Sequence, residues 1–143
     1  MSDKPLRNMV KVRESGFGPF GQYINIGHHV IGADEPGAMG GRDTGPDPFE
    51  LVMAGLGACT TMTIRMVANH KKFPLEDVQV EVRQTAAATS GTLHGFERIV
   101  TLTGPLSDEQ RRVLIEMADK CPVHKMLESG AVISTRASDA TAS

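Results

Sequence analysis

The sequence contains no tryptophan and one tyrosine, and aromatic residues make up only 4% of its 143 residues. The sequence does contain eight methionines, and 40% of its residues are hydrophobic. We therefore expect aliphatic side chains and flexible methionine side chains to fill the core. The length is typical of one domain. We therefore predict a single domain over residues 1–143, with loose tails at residues 1–8 and 137–143.

An excess of positive charge is also missing. The formal net charge is −2 and the basic residues form no block, which makes nucleic acid and anionic membranes poor partner candidates. The first residues lack the apolar segment of a signal peptide, so we expect a cytoplasmic protein. With only two cysteines, a structural disulfide is not expected there, and redox, catalytic, metal-binding or packing roles remain open.

One stretch, residues 48–70, organises the rest of the chain: PFELVMAGLGACTTMTIRMVANH. It carries no charged residue from Leu51 to Ile64. This uncharged segment is too short to span a bilayer, and its composition fits a helix buried on nearly every side. Asp47 is a natural N-cap for this helix, and Glu50 falls in its first turn, where the helix dipole favours an acid. The stretch predicts a central helix that presents a thiol inside an apolar cleft.

The remaining elements follow from periodicity and turn signals. A glycine-rich loop covers residues 34–47, and a capping box of Ser107 with Gln110 opens a later helix. Cys121 is expected to cap a short helix begun by Pro122. Strands are predicted at Met9–Glu14, Gln22–Ala33, Asp77–Thr85, Gly95–Gly104 and Ala131–Arg136.

This order of elements predicts an α+β fold, in which one antiparallel-rich sheet of about five strands covers one side of the central helix. A second copy of the chain is the simplest candidate to cover the other side. His28 and His29 are adjacent in a predicted strand, so we expect one ring inside and one outside, unable to chelate one metal together.

The two cysteines leave several interpretations open. Cys59 lies within an apolar helix, where burial raises the thiol pKa unless a cation or donor comes from another segment. Cys121 has the more favourable local field because it is placed at a helix N-terminus. Both cysteines are equally well explained as core residues. A zinc site of Cys59, Cys121 and His124 is conceivable, but no second short-spaced pair of ligands supports it, and we predict no metal.

The sequence GPDPFELVMAGLGACTTMT, followed by KCPVHKML, resembles the OsmC/Ohr family of small two-cysteine proteins over most of the chain. The resemblance implies an OsmC-like fold and an intertwined homodimer around paired central helices. It also implies a cofactor-free thiol peroxidase. Cys59 attacks an organic hydroperoxide and becomes a sulfenic acid, Cys121 condenses with it to a disulfide, and dithiols reduce the product.

Two further site residues are expected with less support from the motif. Family peroxidases pair an arginine of the N-terminal hairpin with a glutamate ten residues before the first cysteine, where this sequence has Phe49. Glu50 is one residue later, on nearly the opposite side of the helix from Cys59. The activating cation is then Arg42 in the glycine-rich loop, or Arg13 on the first strand, and we favour Arg42.

Two other function classes remain beside the peroxidase. The same apolar cleft is suited to holding a hydrophobic ligand without catalysis, with the cysteines as packing residues. The other alternative is a thiol–disulfide exchange protein that acts on another substrate. Oxidation of the reduced protein by an organic hydroperoxide separates the first interpretation from these two.

Overall fold

The structure is a computed structural model that describes residues 7 and 9–138. By contact density the chain divides into two compact units, Met1–Ala54 and Gly55–Ser143, which are described separately. The predictions for tail residues 1–6, 8 and 139–143 lie outside the described residues. The elements are β1 (Val10–Glu14), β2 (Gln22–Ile26), β3 (His29–Ala33), α1 (Pro48–Lys71), β4 (Asp77–Ala86), β5 (Gly95–Thr103), α2 (Asp108–Glu116) and α3 (Pro122–Ser129), with short 3₁₀ turns at Gly37–Met39 and Met117–Lys120.

The first unit contains a three-stranded antiparallel sheet in the order β1-β2-β3. The predicted return strand from Gln22 to Ala33 is wrong as one element, because the chain reverses at Gly27 and the two halves pair with each other. Gly27 has a φ of 60°, a conformation that glycine adopts without strain and that suits a tight hairpin turn rather than a bulge.

The same reversal corrects the prediction for the two histidines. His28 lies in the turn and His29 begins β3, so they are not successive residues of one strand. Both side chains are exposed, and their ring centroids lie 4.1 Å apart. The alternation that separates neighbouring strand residues therefore does not apply here.

The glycine-rich loop is held by one buried carboxylate. Asp34 is 2% exposed and accepts hydrogen bonds from the backbone nitrogens of Glu35 (2.7 Å) and Thr44 (3.1 Å) and from the Thr44 hydroxyl (2.7 Å). Asp34 also accepts a longer hydrogen bond, of 3.4 Å, from the backbone nitrogen of Arg42. The hydroxyl of Thr44 is the main cause that lowers the pKa of Asp34. The loop is thus built around an anion rather than left free.

Helix α1 begins and ends where the sequence predicts. The Asp47 carboxylate accepts from the Glu50 nitrogen and the Glu50 carboxylate accepts from the Asp47 nitrogen, both at 2.8 Å, which closes a capping box. The last helical residue is Lys71, and Lys72 turns the chain with a φ of 60°.

The prediction that α1 is buried on nearly every side is wrong for the single chain. Its buried residues form one stripe with a spacing of four: Leu56, Thr60, Ile64 and Ala68. Met62 and Met66, on the opposite face, are 66% and 68% exposed. The 24-residue helix is long and apolar enough to meet a length-and-hydropathy criterion for a membrane span, which the core helix of a soluble protein also meets.

In the second unit, β4 and β5 form an antiparallel pair from Asp77↔Thr103 to Ala86↔Gly95. The five strands of the described residues thus form two sheets rather than the single predicted one. The core of this unit joins α1, the chain after it and α2: Ile64, Ala68, Leu75 and Leu114, with Val78, Val100 and Leu102 from the strands packed against it.

The C-terminal part of the described chain is helical and then irregular. Ser107 and Gln110 form the predicted capping box of α2, and Cys121 caps α3, which ends at Gly130. The predicted last strand, Ala131 to Arg136, is wrong, since residues 131–138 form neither strand nor helix. Val132 and Ile133 are 102% and 86% exposed, and no strand among the described residues pairs with this segment.

Candidate thiol site

Two cysteines from different elements meet in the second unit. Cys59 lies on α1 and is partly exposed, whereas Cys121, at the N-cap of α3, is completely buried. Both thiols are free, and they lie close enough that each shifts the pKa of the other. The sequence pattern placed each cysteine on its element, and the fold brings the two thiols near one another.

The surroundings of the two sulfurs differ in the donors they supply. Burial raises the pKa of Cys59, and the neighbouring Cys121 thiol raises it further. Burial alone would also raise the pKa of Cys121, but its neighbours, among them Cys59 and the His124 backbone nitrogen that donates to its sulfur at 3.4 Å, together lower that pKa.

Arg98 on β5 connects this pair to the rest of the unit. Its guanidinium donates to the Thr60 hydroxyl oxygen at 3.1 Å and to the Ala118 carbonyl at 2.8 Å. It also forms an ion pair with Asp119 at 3.3 Å, and its side chain is only 12% exposed. A largely buried guanidinium thus contacts the hydroxyl of Thr60, the residue that follows Cys59.

His124 extends the same network. Its Nδ1 lies 2.6 Å from the Arg98 guanidinium, which can only donate, so Nδ1 is the acceptor and Nε2 carries the hydrogen. Nε2 in turn lies 3.1 Å from the Glu128 carboxylate. Both ring nitrogens are thereby engaged by protein groups. Among the described residues no group of three or more histidine, cysteine or acidic side chains is arranged to hold a metal ion.

An open cavity of about 830 Å³ lies beside this network. Arg98, His124 and Glu128 form its polar side, and its apolar side includes Leu56, Phe96 and Leu127. The arrangement combines a large apolar volume with a few polar groups, which is typical of sites for small hydrophobic molecules.

Glu50 and Arg42, the two other predicted site residues, lie in the first unit. The Glu50 carboxylate is exposed and closes the capping box with Asp47. The aliphatic stem of the exposed Arg42 packs over Gly18 in the turn between β1 and β2, so close that a Cβ at Gly18 would lie 2.8 Å from Arg42 Cδ. Their participation in thiol chemistry stays a prediction, as does that of Arg13, which lies 4.9 Å from the centre of the Tyr23 ring.

Sequence reasoning missed Arg98 and Thr60 as site residues. The signal was present in β5, where the inward positions are Phe96, Arg98, Val100 and Leu102. A charged residue at one inward position, next to the outward Ile99, interrupts the alternation of that strand. A charge on a core-facing position requires a partner inside the fold, and Arg98 finds four.

The fold and the two cysteine motifs together define a class of protein. The family model described as OsmC-like protein matches residues 40–136, more than half of the chain. The chain belongs to the OsmC-like protein family. No curated protein sequence matches it significantly.

Solved structures share the fold at low sequence identity. An OsmC-like protein from Mycoplasma pneumoniae is 19% identical, with a TM-score of 0.72 and coverage of 89% of each chain. An organic hydroperoxide resistance protein OsmC from Legionella pneumophila is 26% identical, with a TM-score of 0.64 and coverage of 85% of this chain and 90% of that one. An OsmC-like protein of unknown function from Vibrio cholerae is 13% identical, with a TM-score of 0.69 and coverage of 87% and 95%. These similarities confirm the predicted α+β, OsmC-like fold.

Proposed function

We propose that the protein is a thiol-dependent peroxidase that reduces organic hydroperoxides in the cytoplasm. The observation that carries the proposal is the pair of neighbouring free thiols, one partly exposed and one buried. The Legionella relative is described as an organic hydroperoxide resistance protein and a predicted redox protein, which supports the same chemistry here. The apolar lining of the neighbouring cavity favours an organic peroxide over hydrogen peroxide.

The proposed reaction has three balanced steps. The Cys59 sulfur attacks the terminal peroxide oxygen, so that an S–O bond forms, the O–O bond breaks and the alcohol leaves after protonation. The Cys121 sulfur then attacks the sulfenic sulfur of Cys59, an S–S bond forms and water leaves. An external dithiol reduces this disulfide by two exchange steps and is itself oxidised. Cys59 takes the first role because it is the partly exposed member of the pair.

We propose that the working unit is a homodimer. The exposed methionines of α1 and the exposed Val132 and Ile133 leave two apolar surfaces on the single chain. Gly55, on the exposed side of α1, has no heavy atom within 4 Å of the place where a Cβ would be. The open space at this glycine lets a second α1 approach closely, and such packing would bury the exposed methionines of α1.

Rapid mixing of the reduced protein with cumene hydroperoxide tests the peroxidase. We expect the loss of both thiols per chain, a Cys59–Cys121 disulfide identified by mass spectrometry, and faster reaction than with hydrogen peroxide. Cys59→Ser should abolish peroxide consumption, and Cys121→Ser should stop at a sulfenic acid. Thr61→Val is the matched control, since this neighbouring hydroxyl bonds only the Ala58 carbonyl of its own helix. Hydroperoxide consumption that is absent in the wild type, or unchanged in Cys59→Ser, would refute the proposal.

The cavity favours a second candidate, a binding module for a hydrophobic ligand. Its volume of about 830 Å³ is within the range of small-molecule sites, and apolar residues line most of it. In this case a fluorescent fatty acid should bind equally well to wild-type protein and to the double variant Cys59→Ser/Cys121→Ser. Binding without any hydroperoxide reaction would favour this candidate over the peroxidase.

A further inference from the structure

The polar side of the cavity carries charged groups that are already bonded to one another. Arg98, His124 and Glu128 line this side. The guanidinium of Arg98 forms an ion pair with the Asp119 carboxylate at 3.3 Å and donates to Nδ1 of His124 at 2.6 Å. Because Nδ1 accepts this hydrogen bond, the His124 ring is neutral, and its Nε2 lies 3.1 Å from the Glu128 carboxylate. The charge of Arg98 is therefore opposed by Asp119, whereas the charge of Glu128 faces an uncharged ring.

The guanidinium of Arg98 has little capacity left for a ligand. Of the five N–H donors of an arginine, one terminal nitrogen uses its two on the Thr60 hydroxyl (3.1 Å) and the Ala118 carbonyl (2.8 Å). The other terminal nitrogen uses its two on Asp119 and His124. Only Nε–H has no acceptor among the residues that the structure describes. The two parallel donors with which an arginine usually binds a carboxylate are therefore not available here.

The other imidazole that lines the cavity is uncharged as well. His94 Nδ1 accepts from the Ala88 backbone nitrogen at 3.1 Å, which requires an unprotonated ring nitrogen. Arg98 is thus the one cation among the described residues of the lining. Its single positive charge stands against the two negative charges of Asp119 and Glu128. The polar side consequently has a negative balance, which opposes an anionic ligand.

We propose that the cavity binds amphiphiles with an uncharged polar group and discriminates against carboxylates of the same chain length. For the peroxidase, this selects uncharged lipid hydroperoxides, such as esterified ones, over the hydroperoxides of free fatty acids. The inference rests on the proposed role of this cavity as the site for the organic substrate, and it adds the charge of that substrate. Glu128 is the residue to which it assigns the discrimination.

The two kinds of polar group differ in what they lose and gain at this place. A carboxylate gives up strong hydration, finds at most one free donor on Arg98 and is repelled by Glu128. An ester carbonyl or a hydroxyl gives up far less hydration, and one N–H satisfies it. A hydroxyl can also donate to the Glu128 carboxylate, which has acceptor capacity beyond its contact with His124. The apolar side of the cavity holds the chain of either ligand, so the polar group decides between them.

Competition binding to the double variant Cys59→Ser/Cys121→Ser tests this selection without any thiol chemistry. The uncharged dye N-phenyl-1-naphthylamine is displaced at neutral pH and low salt by 1-dodecanol, methyl dodecanoate or dodecanoate, each below its aggregation concentration. The alcohol and the ester should displace the dye at concentrations at least about tenfold lower than dodecanoate does. Leu127→Trp, which fills part of the apolar side, should weaken the binding of the dye and of all three ligands. No saturable dye binding, or binding that Leu127→Trp leaves unchanged, would overturn the inference.

A charge-removing substitution separates the role of Glu128 from the general cost of placing an anion in an apolar site. Glu128→Gln keeps the length of the side chain and an acceptor oxygen for His124. It should strengthen dodecanoate binding at least about threefold and change the alcohol and the ester less than about twofold, because Glu128 is exposed and partly screened. Raising the salt concentration should reduce the gain. The matched control is Glu116→Gln, which removes an exposed acid that is paired with Arg112 on α2 and should change no ligand.

The outcomes separate the inference from the proposed function. If dodecanoate binds as tightly as 1-dodecanol, or if Glu128→Gln affects both ligands alike, the inference is wrong even for an active peroxidase. In an active wild type, kcat/KM should be higher for the methyl ester of a fatty acid hydroperoxide than for the free acid, and Glu128→Gln should narrow this ratio. If no hydroperoxide reacts with wild type, the proposed function fails, and the binding measurements alone then decide whether the cavity selects uncharged ligands.

Discussion

The exposed face of α1 allows the proposed dimer to be tested by substitutions whose effect on dimer affinity can be calculated. Met62 and Met66 are 66% and 68% exposed in the single chain. Complete burial of a methionine side chain is worth roughly 1.5–3 kcal/mol, so covering two-thirds of one contributes about 1–2 kcal/mol. Two-fold symmetry places four such side chains in one interface, for a total of about 4–8 kcal/mol. The double variant Met62→Ala/Met66→Ala should therefore weaken the dimer roughly a thousand-fold or more.

Sedimentation velocity over a dilution series measures this effect. Wild type should remain a dimer at micromolar concentration, and the double variant should become a folded monomer, because alanine is the best helix former and both sites are solvent-exposed in the chain. Ile115→Ala on α2, where the side chain is 43% exposed, is the control for loss of an exposed apolar group. A wild-type monomer, or a double variant that dissociates no more readily than the control, would refute the reasoning about α1.

Two further predictions concern stability. Leu114→Ala removes a completely buried side chain from the core and should lower the free energy of unfolding by about 2–5 kcal/mol. Urea unfolding at fixed protein concentration measures this change, and the control Ile115→Ala should lower the free energy of unfolding far less. Equal effects of the two substitutions would contradict the assignment of Leu114 to the core. The pKa of Asp34 is lowered by Thr44, so its contribution to stability is present above the unfolded value of about 3.9 and is lost as pH falls through the lower folded value. The melting temperature of Asp34→Asn should thus lie below that of wild type at pH 7 and converge with it in acid, while the exposed Asp43→Asn should show no such difference.

The elements that the sequence predicted well are those determined by neighbouring residues. The N-cap at Asp47, the capping box at Ser107 and the cap at Cys121 each use groups within three residues of one another, and all three form as expected. Strand β4 also follows its own alternation. In such cases local hydrogen bonds and side-chain periodicity decide the structure, and both can be read from a short window of sequence.

The wrong predictions concern segments whose structure depends on pairing with another segment of the chain. From Gln22 to Ala33 the apolar pattern is continuous, and only the pairing of β2 with β3 reveals that Gly27 is a turn. Residues 131–136 have the composition of a strand, but the described chain offers them no paired neighbour. A strand requires hydrogen bonds from another strand, so its composition alone does not determine whether it forms.

Arg98 illustrates the same limit at the candidate site. Nothing within its own strand explains a charge at a core-facing position, and the partners that satisfy it come from α1, the 3₁₀ turn and α3. The interrupted alternation of β5 indicated that some internal partner must exist, because an isolated buried cation is costly. It did not indicate which one. The sequence analysis favoured Arg42 as the activating cation because a glycine-rich loop can fold back over a cleft, whereas Arg13 is held by its strand. The arginine that contacts Thr60, the residue next to Cys59, lies 39 residues after Cys59 in the sequence.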